Sequence, residues 1–357
     1  MSLSFRIEPR ELTFKFAAGT SRGVYHTRRL FLVHLHDADN PAFCGVGECA
    51  PLYDLSPDYT SQYADHLQAI SEAVARRGSL PANALRTVPS IRTGIEMAFL
   101  SAEAHARGMD VLFKSSFTQG QSPIAINGLI WMGDRATMRQ RLQEKIDQGF
   151  MCIKFKIGAI DFADELALLR EARALCHDED IQLRVDANGA FTPAEAPSKL
   201  QQLQALGIHS IEQPIRAGHW QQMAHLCATS PIPIALDEEL IGLYSREAKA
   251  AMLDTIRPAY LVLKPTLHGG FSGCEEWIAL ARERGIGYWV TSALESNVGL
   301  NAIAQWTAHL LHTESRQPSS TAHPTQTYQG LGTGQLFVDN IPCPQLQLQG
   351  DKLWYKP

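Results

Sequence analysis

The sequence predicts an α/β protein: a (β/α) TIM-like barrel preceded by an N-terminal α+β domain. From about residue 123, short apolar runs recur, each followed by an amphipathic stretch, as expected for parallel strands buried between helices. Polar residues end these runs at 156, 186, 212, 237, 264 and 292. A unit that repeats this regularly favours a closed barrel over an open doubly wound sheet. The first strand–helix turn also lacks the GxGxxG motif of dinucleotide-binding domains.

The first hundred residues predict an α+β unit. The stretches "SFRIEPRELTFKF" (4–16) and "TRRLFLVHLHD" (27–37) alternate between apolar and polar residues, which indicates antiparallel strands joined by a polar loop at 17–23. Helical patterns follow at 58–77 and 89–107. We therefore assign residues 1–115 to an N-terminal capping domain.

The barrel is predicted to span residues 116–315. Helical stretches between its strands are expected at 136–149, 161–176, 193–206 and 271–285. The last stretch, 316–357, is rich in Pro and Gln and does not resemble a strand–helix unit. We expect this C-terminal segment to pack back on the capping domain and to complete it.

Composition narrows the class of protein. The 357 residues carry a formal net charge of −5, which gives no basic surface for nucleic acid or an anionic membrane, and no apolar run reaches transmembrane length. The seven cysteines are odd in number and scattered, so reduced thiols and a cytoplasmic location are expected. The oligomeric state cannot be read from the sequence, and association into a homo-oligomer is left open.

Charged residues concentrate at the predicted carboxyl ends of the barrel strands, which converge on one mouth of such a barrel. Three acidic residues come from three consecutive strands, with lysines on both sides of them. The set comprises Lys154, Lys156, Asp186, Asn188, Glu212, Asp237 and Lys264. In "MCIKFKIG" the two lysines stand two residues apart, so a strand would point both to the same side.

These residue types together suit a metal-assisted proton transfer. Three carboxylates around one point would bind a hard divalent cation, Mg²⁺ or else Mn²⁺, and without a cation at least one of them would become protonated. Close to a cation and to each other, Lys156 and Lys264 are expected to have depressed pKa values, so that one can act as a general base. A metal on the substrate carboxylate would stabilise the enediolate formed by deprotonation of the neighbouring carbon.

Each residue alone has a simpler explanation. A lysine at a strand end is usually solvated, the aspartate of "DANG" suits a turn, and Asp237 could cap a helix. Their joint occurrence at successive strand ends favours a site. Ser292, Glu295 and Ser296 follow the last clear strand and are candidates for contact with substrate, whereas His268 is interpreted as a loop residue.

Six motifs, in this order, resemble the enolase superfamily and, within it, the muconate-lactonizing subgroup. They are "KFKIG" (154–158), "VDANGAF" (185–191), "IEQPI" (211–215), "LDEEL" (236–240), "LKPTLHGG" (263–270) and "SALESNVGL" (292–300). The resemblance covers nearly the whole chain and implies a modified, enolase-type barrel. With "AGTSRG" (18–23) and "QGLGTGQLF" (329–337), it narrows to dehydratases of menaquinone biosynthesis.

The resemblance implies a role for each residue of the mouth. The metal ligands would be Asp186, Glu212 and Asp237. Lys156 would remove the proton next to the carboxylate of a small-molecule substrate, and Lys154 would help to keep Lys156 basic. Lys264, on the opposite face, would stabilise the enediolate.

The "AGTSRG" loop is expected to close over the substrate, with Thr20, Ser21 or Arg22 reaching a succinyl carboxylate. Other reactions on the same scaffold stay open: N-succinylamino acid racemisation, dipeptide epimerisation and muconate cycloisomerisation. Two alternatives come from other classes of protein. A Schiff-base aldolase would not need three carboxylates, and a non-catalytic barrel would not keep every expected group.

Overall fold

A computed structural model describes residues 2–20, 23–81, 83–176, 181–315 and 327–357. Within these ranges the chain forms an antiparallel N-terminal sheet, a seven-stranded parallel sheet and a small sheet that contains the C-terminal hairpin. No helix of these ranges is long and apolar enough to cross a membrane. The predicted fold class, a (β/α) barrel with an N-terminal α+β domain, is confirmed.

The N-terminal sheet consists of β1 (Leu3–Thr20), β2 (Gly23–Asp37) and β3 (Cys44–Cys49), paired antiparallel in that order. Both strands predicted from alternation are present but extend further, because pairing continues to Thr20 and Gly23 at the tip of the hairpin. The predicted loop is correspondingly shorter. Ser21 and Arg22 lie outside the described residues.

Two helices, α1 (Tyr63–Arg77) and α2 (Pro89–Ala106), pack against this sheet. The contact between α2 and β3 is unusually close. A Cβ atom added to Gly45 or Gly47 would collide with the backbone of α2. Glycine at these two positions therefore lets the helix lie directly on the strand.

The barrel strands pair in parallel in the order of the sequence, after a short strand β4 (Ile124–Ala125). They are β5 (Gly128–Ile130), β6 (Cys152–Lys156), β7 (Gln182–Asp186), β8 (Ile208–Glu212), β9 (Ile234–Leu236), β10 (Tyr260–Leu263) and β11 (Gly287–Val290). The intervening helices are α3 (Arg135–Asp147), α4 (Phe162–Leu175), α5 (Ala196–Gln204), α6 (Trp220–Thr229), α7 (Arg246–Ile256), α8 (Pro265–His268), α9 (Gly270–Arg282) and α10 (Asn297–Ser315). The four helices predicted at 136–149, 161–176, 193–206 and 271–285 correspond to α3, α4, α5 and α9.

The barrel is closed by a segment far along the chain. The amide of Gln329 donates to Ala125 O at 2.9 Å, and the amide of Gly330 donates to Val290 O at 2.8 Å. Both contacts are parallel bridges, so the segment fills the place of an eighth strand between β11 and the start of the barrel. A Cβ atom on Gly330 would collide with Thr291, so glycine permits this closure.

The rest of the C-terminal segment contacts both units of the molecule. The amide of Lys15 donates to Leu336 O at 2.8 Å, and that of Val338 donates to Thr13 O at 2.9 Å, which attaches this part to β1. The final hairpin, β12 (Leu346–Gln349) and β13 (Lys352–Tyr355), instead pairs with β4. The domain boundaries at 115 and 315 stay a prediction.

Candidate active site

The strand register places the predicted site residues next to one another. Lys156 pairs with Asp186, and Asp186 pairs with Glu212, at the carboxyl ends of β6, β7 and β8. Asp237 and Lys264 each follow the last residue of a strand, β9 and β10. Because parallel strands end at the same rim of a barrel, all five side chains reach one mouth.

The two lysines of β6 share one carboxylate oxygen. Lys154 Nζ donates to Asp186 Oδ2 at 3.1 Å and to Glu212 Oε2 at 2.8 Å. Lys156 Nζ donates to the same Asp186 oxygen at 3.0 Å and to Asn188 Oδ1 at 2.8 Å. Both ammonium groups thus lie on one side of the strand, as the two-residue period predicts.

A third lysine approaches from the other side of the mouth. Lys264 Nζ donates to Asp237 Oδ2, and the Asp237 carboxylate does not cap the short 3₁₀ turn Glu238–Leu240 that follows it. The amide of Lys264 donates to His268 Nδ1 at 3.0 Å. His268 Nε2 then faces Asp237 Oδ1 at 3.9 Å, so His268 belongs to the surroundings of the site.

The pKa values of Glu212 and Asp186 are shifted in opposite directions by burial and by neighbouring charges. Burial, together with the charge of Asp186, raises the pKa of Glu212 to about 8. For Asp186 burial also acts upward, but the charges of Lys154 and Lys156 outweigh it and hold the pKa of Asp186 well below its usual range. The mouth therefore keeps one carboxylate firmly ionised beside another that resists ionisation.

The depressed pKa expected for Lys264 beside a cation stays a prediction, because the residues of the mouth on their own shift this pKa the other way. Burial does lower the pKa of this ammonium group, but the carboxylates of Asp237 and Glu212 raise it by more, so its pKa lies above the usual value. The physical reason is that the nearby carboxylates contribute more to its surroundings than the other lysine does. Likewise, burial lowers the pKa of Lys154, but Asp186 and Glu212 outweigh that effect and raise it.

Two carboxylate oxygens of the mouth fit a cation. Glu212 Oε1 and Asp237 Oδ1 are buried and accept no hydrogen bond from any described residue. A buried oxygen without a donor is costly, and a hard cation would satisfy it. In the part of the chain that the structure describes, no three His, Cys, Asp or Glu side chains are already arranged to hold a metal ion. Of the other four oxygens, Asp186 Oδ1 accepts from the amide of Asn188 at 3.1 Å. The other three, Asp186 Oδ2, Glu212 Oε2 and Asp237 Oδ2, accept from lysines.

A buried glutamine holds the acidic strand ends in place. Gln213 Oε1 accepts from the amides of Asp237 at 3.2 Å and Glu239 at 3.3 Å, and its Nε2 donates to Glu239 Oε2 at 3.1 Å. Gln213 has φ 41° and Asn188 has φ 44°, values that cost energy for residues other than glycine. Such strain is typical of functional sites. Gln213 was not predicted as a site residue, although "IEQPI" contains it.

A cavity of about 520 Å³ opens directly above these groups. Lys154, Lys156 and Lys264 line it together with Asp186 and Asn188. Apolar side chains from both units of the molecule complete its wall, among them Phe16, Tyr25, Leu52, Trp131 and Leu294. A volume of this size suits a small organic substrate.

Comparison with known proteins agrees with this architecture. The Enolase C-terminal domain-like family matches residues 137–341. The o-succinylbenzoate synthase of Desulfotalea psychrophila is 44% identical, over 96% of either chain. The crystal structure of MenC from the same organism superposes with a TM-score of 0.79 at 40% identity, covering 99% of this chain and all of that one. An N-succinylamino acid racemase of an Amycolatopsis species is 27% identical, over 78% of this chain and 76% of its own.

The chain belongs to the enolase superfamily. The resemblance stated from the motifs is thereby confirmed, and with it the enolase-type barrel.

The residues after β11 divide between the enolase-type mouth and the interface with the capping domain. Ser292 lines the cavity, and its Oγ accepts from Thr333 Oγ1 at 2.7 Å. Glu295 and Ser296 do not line it: the chain turns away at Leu294, where φ is 65°. Glu295 accepts from Thr266 Oγ1, and Ser296 donates to Glu48 of β3. Of Thr20 only the backbone is described, and Ser21 and Arg22 lie outside the described residues.

Among the residues that line the mouth but were not predicted from the sequence are Trp131, Phe16 and Arg141. Trp131 lies 5.9 Å, measured to its ring centroid, from Lys156 Nζ. It directly follows the last residue of β5, and this strand-end position was a usable signal. Phe16 comes from the capping domain, whose strands carry no motif. Arg141 lies on α3 among several exposed charges, so its sequence context does not distinguish it.

Proposed function

We propose that this chain is an o-succinylbenzoate synthase of menaquinone biosynthesis, a metal-dependent dehydratase of the cytoplasm. The reaction is the syn-dehydration of 2-succinyl-6-hydroxy-2,4-cyclohexadiene-1-carboxylate to 2-succinylbenzoate. The observation that supports this substrate is the 44% identity, along nearly the full length of both chains, to a protein of that activity. The three lysines and three carboxylates at one mouth support the chemistry.

The metal is proposed to be Mg²⁺, with Mn²⁺ meeting the same donor set. Asp186, Glu212 and Asp237 would hold it, and the two buried oxygens without donors, Glu212 Oε1 and Asp237 Oδ1, support this assignment. When bound, the cation supplies positive charge to the substrate carboxylate and so makes the adjacent carbon a stronger acid.

Lys156 is proposed as the base. Its Nζ lies beside Trp131 at the floor of the cavity, and Asn188 Oδ1 accepts one of its hydrogen bonds. In its neutral form Lys156 takes the proton next to the carboxylate. The resulting ammonium group then gives that proton to the departing hydroxide, so that water leaves and the ring becomes aromatic.

The other two lysines act by charge. Lys154, also in contact with Asp186, places a second positive charge near Lys156 and thereby favours the neutral form of the base. Lys264 reaches the mouth from the opposite side and stabilises the negative charge that develops on the enediolate oxygens. Superfamily members commonly combine a lysine base with Mg²⁺ in this way.

A spectrophotometric assay tests this function. Loss of the cyclohexadiene absorbance should require Mg²⁺ and should stop in EDTA. Lys156→Ala should lower kcat/KM by about 10²–10⁴-fold, since general-base catalysis contributes this much. Lys114→Ala, at an exposed lysine away from the cavity, serves as the control and should keep full activity. A folded, Mg²⁺-loaded protein that does not consume the diene would exclude the dehydratase.

N-Succinylamino acid racemisation is the second candidate. Lys156 and Lys264 face the cavity from opposite sides, as a two-base racemase requires, and a relative at 27% identity is an N-succinylamino acid racemase. Exchange of the α-hydrogen with D₂O can be followed for both enantiomers of an N-succinylamino acid. Exchange that is faster than dehydration would make racemisation the main activity, and dipeptides tested in the same way would report epimerisation.

A further inference from the structure

Arg141 differs from the lysines of the site in how its charge is paired. Each of those lysines donates to at least one carboxylate, whereas Arg141 forms no ion pair with any described residue. Its Nη1 donates to Trp131 O at 2.9 Å and to Met132 O at 3.2 Å. Its Nε and Nη2 have no hydrogen-bond partner in the described ranges, although the side chain lines the cavity.

The guanidinium group is held in one place by its surroundings. The two backbone carbonyls fix one edge of it, and its Cζ lies 4.6 Å from the centroid of the Phe16 ring. Phe16 in turn contacts Trp131 edge to face, with ring centroids 6.3 Å apart, and Trp131 adjoins Lys156. The rings of Phe16 and Trp131 thus lie between the proposed base and the guanidinium group of Arg141, which line the same cavity.

The nearest acidic side chains do not form an ion pair with Arg141, although Glu144 also lines the cavity. Glu144 Oε1 accepts from Gln140 Nε2 at 3.0 Å, and Asp134 caps the start of α3 by accepting from the amide of Thr137 at 2.8 Å. Burial lowers the pKa of Arg141 despite these two charges, yet a guanidinium group stays protonated at any pH of interest. A partly desolvated arginine with two open N–H groups is suited to a carboxylate, which it can bind through two parallel hydrogen bonds.

We infer that Arg141 binds the terminal carboxylate of the substrate's succinyl chain, with Phe16 and Trp131 contacting the methylene groups that lead to it. This assignment rests on the proposed function insofar as the substrate carries a succinyl chain. Both candidate reactions share that chain, so Arg141 would serve either. The role assigns selectivity for the succinyl tail to α3, the first helix of the barrel.

Binding of stable ligands tests this role without turnover. Titration calorimetry with the Mg²⁺-loaded protein would compare 2-succinylbenzoate with 2-butyrylbenzoate, in which a methyl group replaces the terminal carboxylate. The wild type should bind 2-succinylbenzoate about 10- to 100-fold more tightly, as expected for charged hydrogen bonds. Arg141→Met should remove most of this preference and leave the affinity for 2-butyrylbenzoate unchanged, whereas Arg141→Lys should keep part of it.

Arg139→Met is the matched control, because Arg139 lies on the same helix, is exposed and does not line the cavity. It should bind both ligands as the wild type does. A wild type without preference, or an Arg141→Lys or folded Arg141→Met variant that keeps the full preference, would overturn the role of Arg141. Failure of the proposed function is separate: it appears as absent diene turnover by the wild type, whatever the ligand preference.

Discussion

Buried charges occur in two regions of this molecule, and the two regions differ in how completely those charges are satisfied. At the interface of capping domain and barrel, both carboxylate oxygens of Glu48 accept hydrogen bonds, from the amides of Ser296 and Gly299 and from Ser296 Oγ. Both oxygens of Glu295 also accept, from Thr266 Oγ1 and from the amide of Ala293. At the mouth, one oxygen each of Glu212 and Asp237 accepts none from the described residues.

This difference separates a structural role from a chemical one. A buried carboxylate whose two oxygens both accept hydrogen bonds fixes two parts of the chain relative to each other and has no open oxygen left for a cation. A buried carboxylate oxygen that accepts no hydrogen bond can instead bind a cation from solvent. Substitutions at the interface should therefore mainly lower stability, and substitutions at the mouth should mainly lower activity or metal binding.

Replacing Arg28, the buried positive charge at the interface, should lower the stability of the fold more than any other substitution proposed for this protein. Arg28 is buried there and donates to the carbonyls of Ala50, Pro51 and Leu294. Arg28→Met should lower the free energy of unfolding by about 3–5 kcal/mol, because Glu48 and Glu295 would stay buried without their cation. Denaturant unfolding measures this loss. The exposed neighbour Arg29→Met should lose far less, and equal losses would contradict the assignment.

Replacing Lys264, a positive charge of the mouth, should instead lower the activity. Lys264→Met should lower kcat by about 10²–10³-fold, since charge stabilisation of this kind is typically worth that much. In the presence of Mg²⁺ its unfolding transition should move less than that of Arg28→Met. Steady-state kinetics and thermal unfolding on the same samples give both values. If Lys264→Met unfolds at a clearly lower temperature but keeps a normal kcat, Lys264 has a structural role like that of the interface charges.

His268 should influence the metal through Asp237. Burial lowers the pKa of His268 to about 3, so the ring is neutral; Nδ1 accepts from the Lys264 amide, which leaves the proton on Nε2, facing Asp237 Oδ1. His268→Phe should weaken Mg²⁺ binding by about 10–100-fold, the range found when a residue that orients a metal ligand is lost. His268→Gln keeps an N–H group and should recover part of the affinity. Calorimetric titration of Mg²⁺ measures both, and unchanged affinity in His268→Phe would refute the link.

The smallest expected effect is the pH dependence of the interface. Burial raises the pKa of Glu48 above 4.5, although hydrogen bonds from Ser296 oppose the shift. The folded protein therefore holds this proton more tightly than the unfolded chain, so the contribution of Glu48 is complete below pH 4.5 and declines as the pH rises. The stability difference between wild type and Glu48→Gln should decrease over that range. A difference that grows with pH would mean that the charges of Arg28 and the hydrogen bonds dominate.

The sequence predicted those features that follow from local periodicity. Strand alternation placed Lys154 and Lys156 on one side of β6, and the repeat of about 27 residues placed Asp186, Glu212 and Asp237 at successive strand ends. Both rules can be applied along the sequence without knowing which distant segments pair. The strand register agrees with them for Lys154, Lys156, Asp186 and Glu212.

Features that depend on distant parts of the chain were missed. Closure of the barrel by Gln329 and Gly330 brings Gln329 to Ile126, far away in the sequence, and no local pattern encodes this pairing. Arg141 acquires its position from the carbonyl of Trp131 and from Phe16 of the other unit. Glu295 and Ser296 stand next to a true lining residue in the sequence, but the left-handed turn at Leu294 directs them to Glu48 instead.

The effect of Mg²⁺ on unfolding tests the central claim most directly, namely that the open carboxylate oxygens of the mouth form a cation site. At a Mg²⁺ concentration 100 times its dissociation constant, the wild type should gain about 2.7 kcal/mol of stability. Glu103→Gln, at an exposed glutamate of α2, should gain the same, and Glu212→Gln should gain little. If the wild type gains nothing, or if Glu212→Gln gains as much as the wild type, the open oxygens do not bind the metal and the proposed mechanism fails.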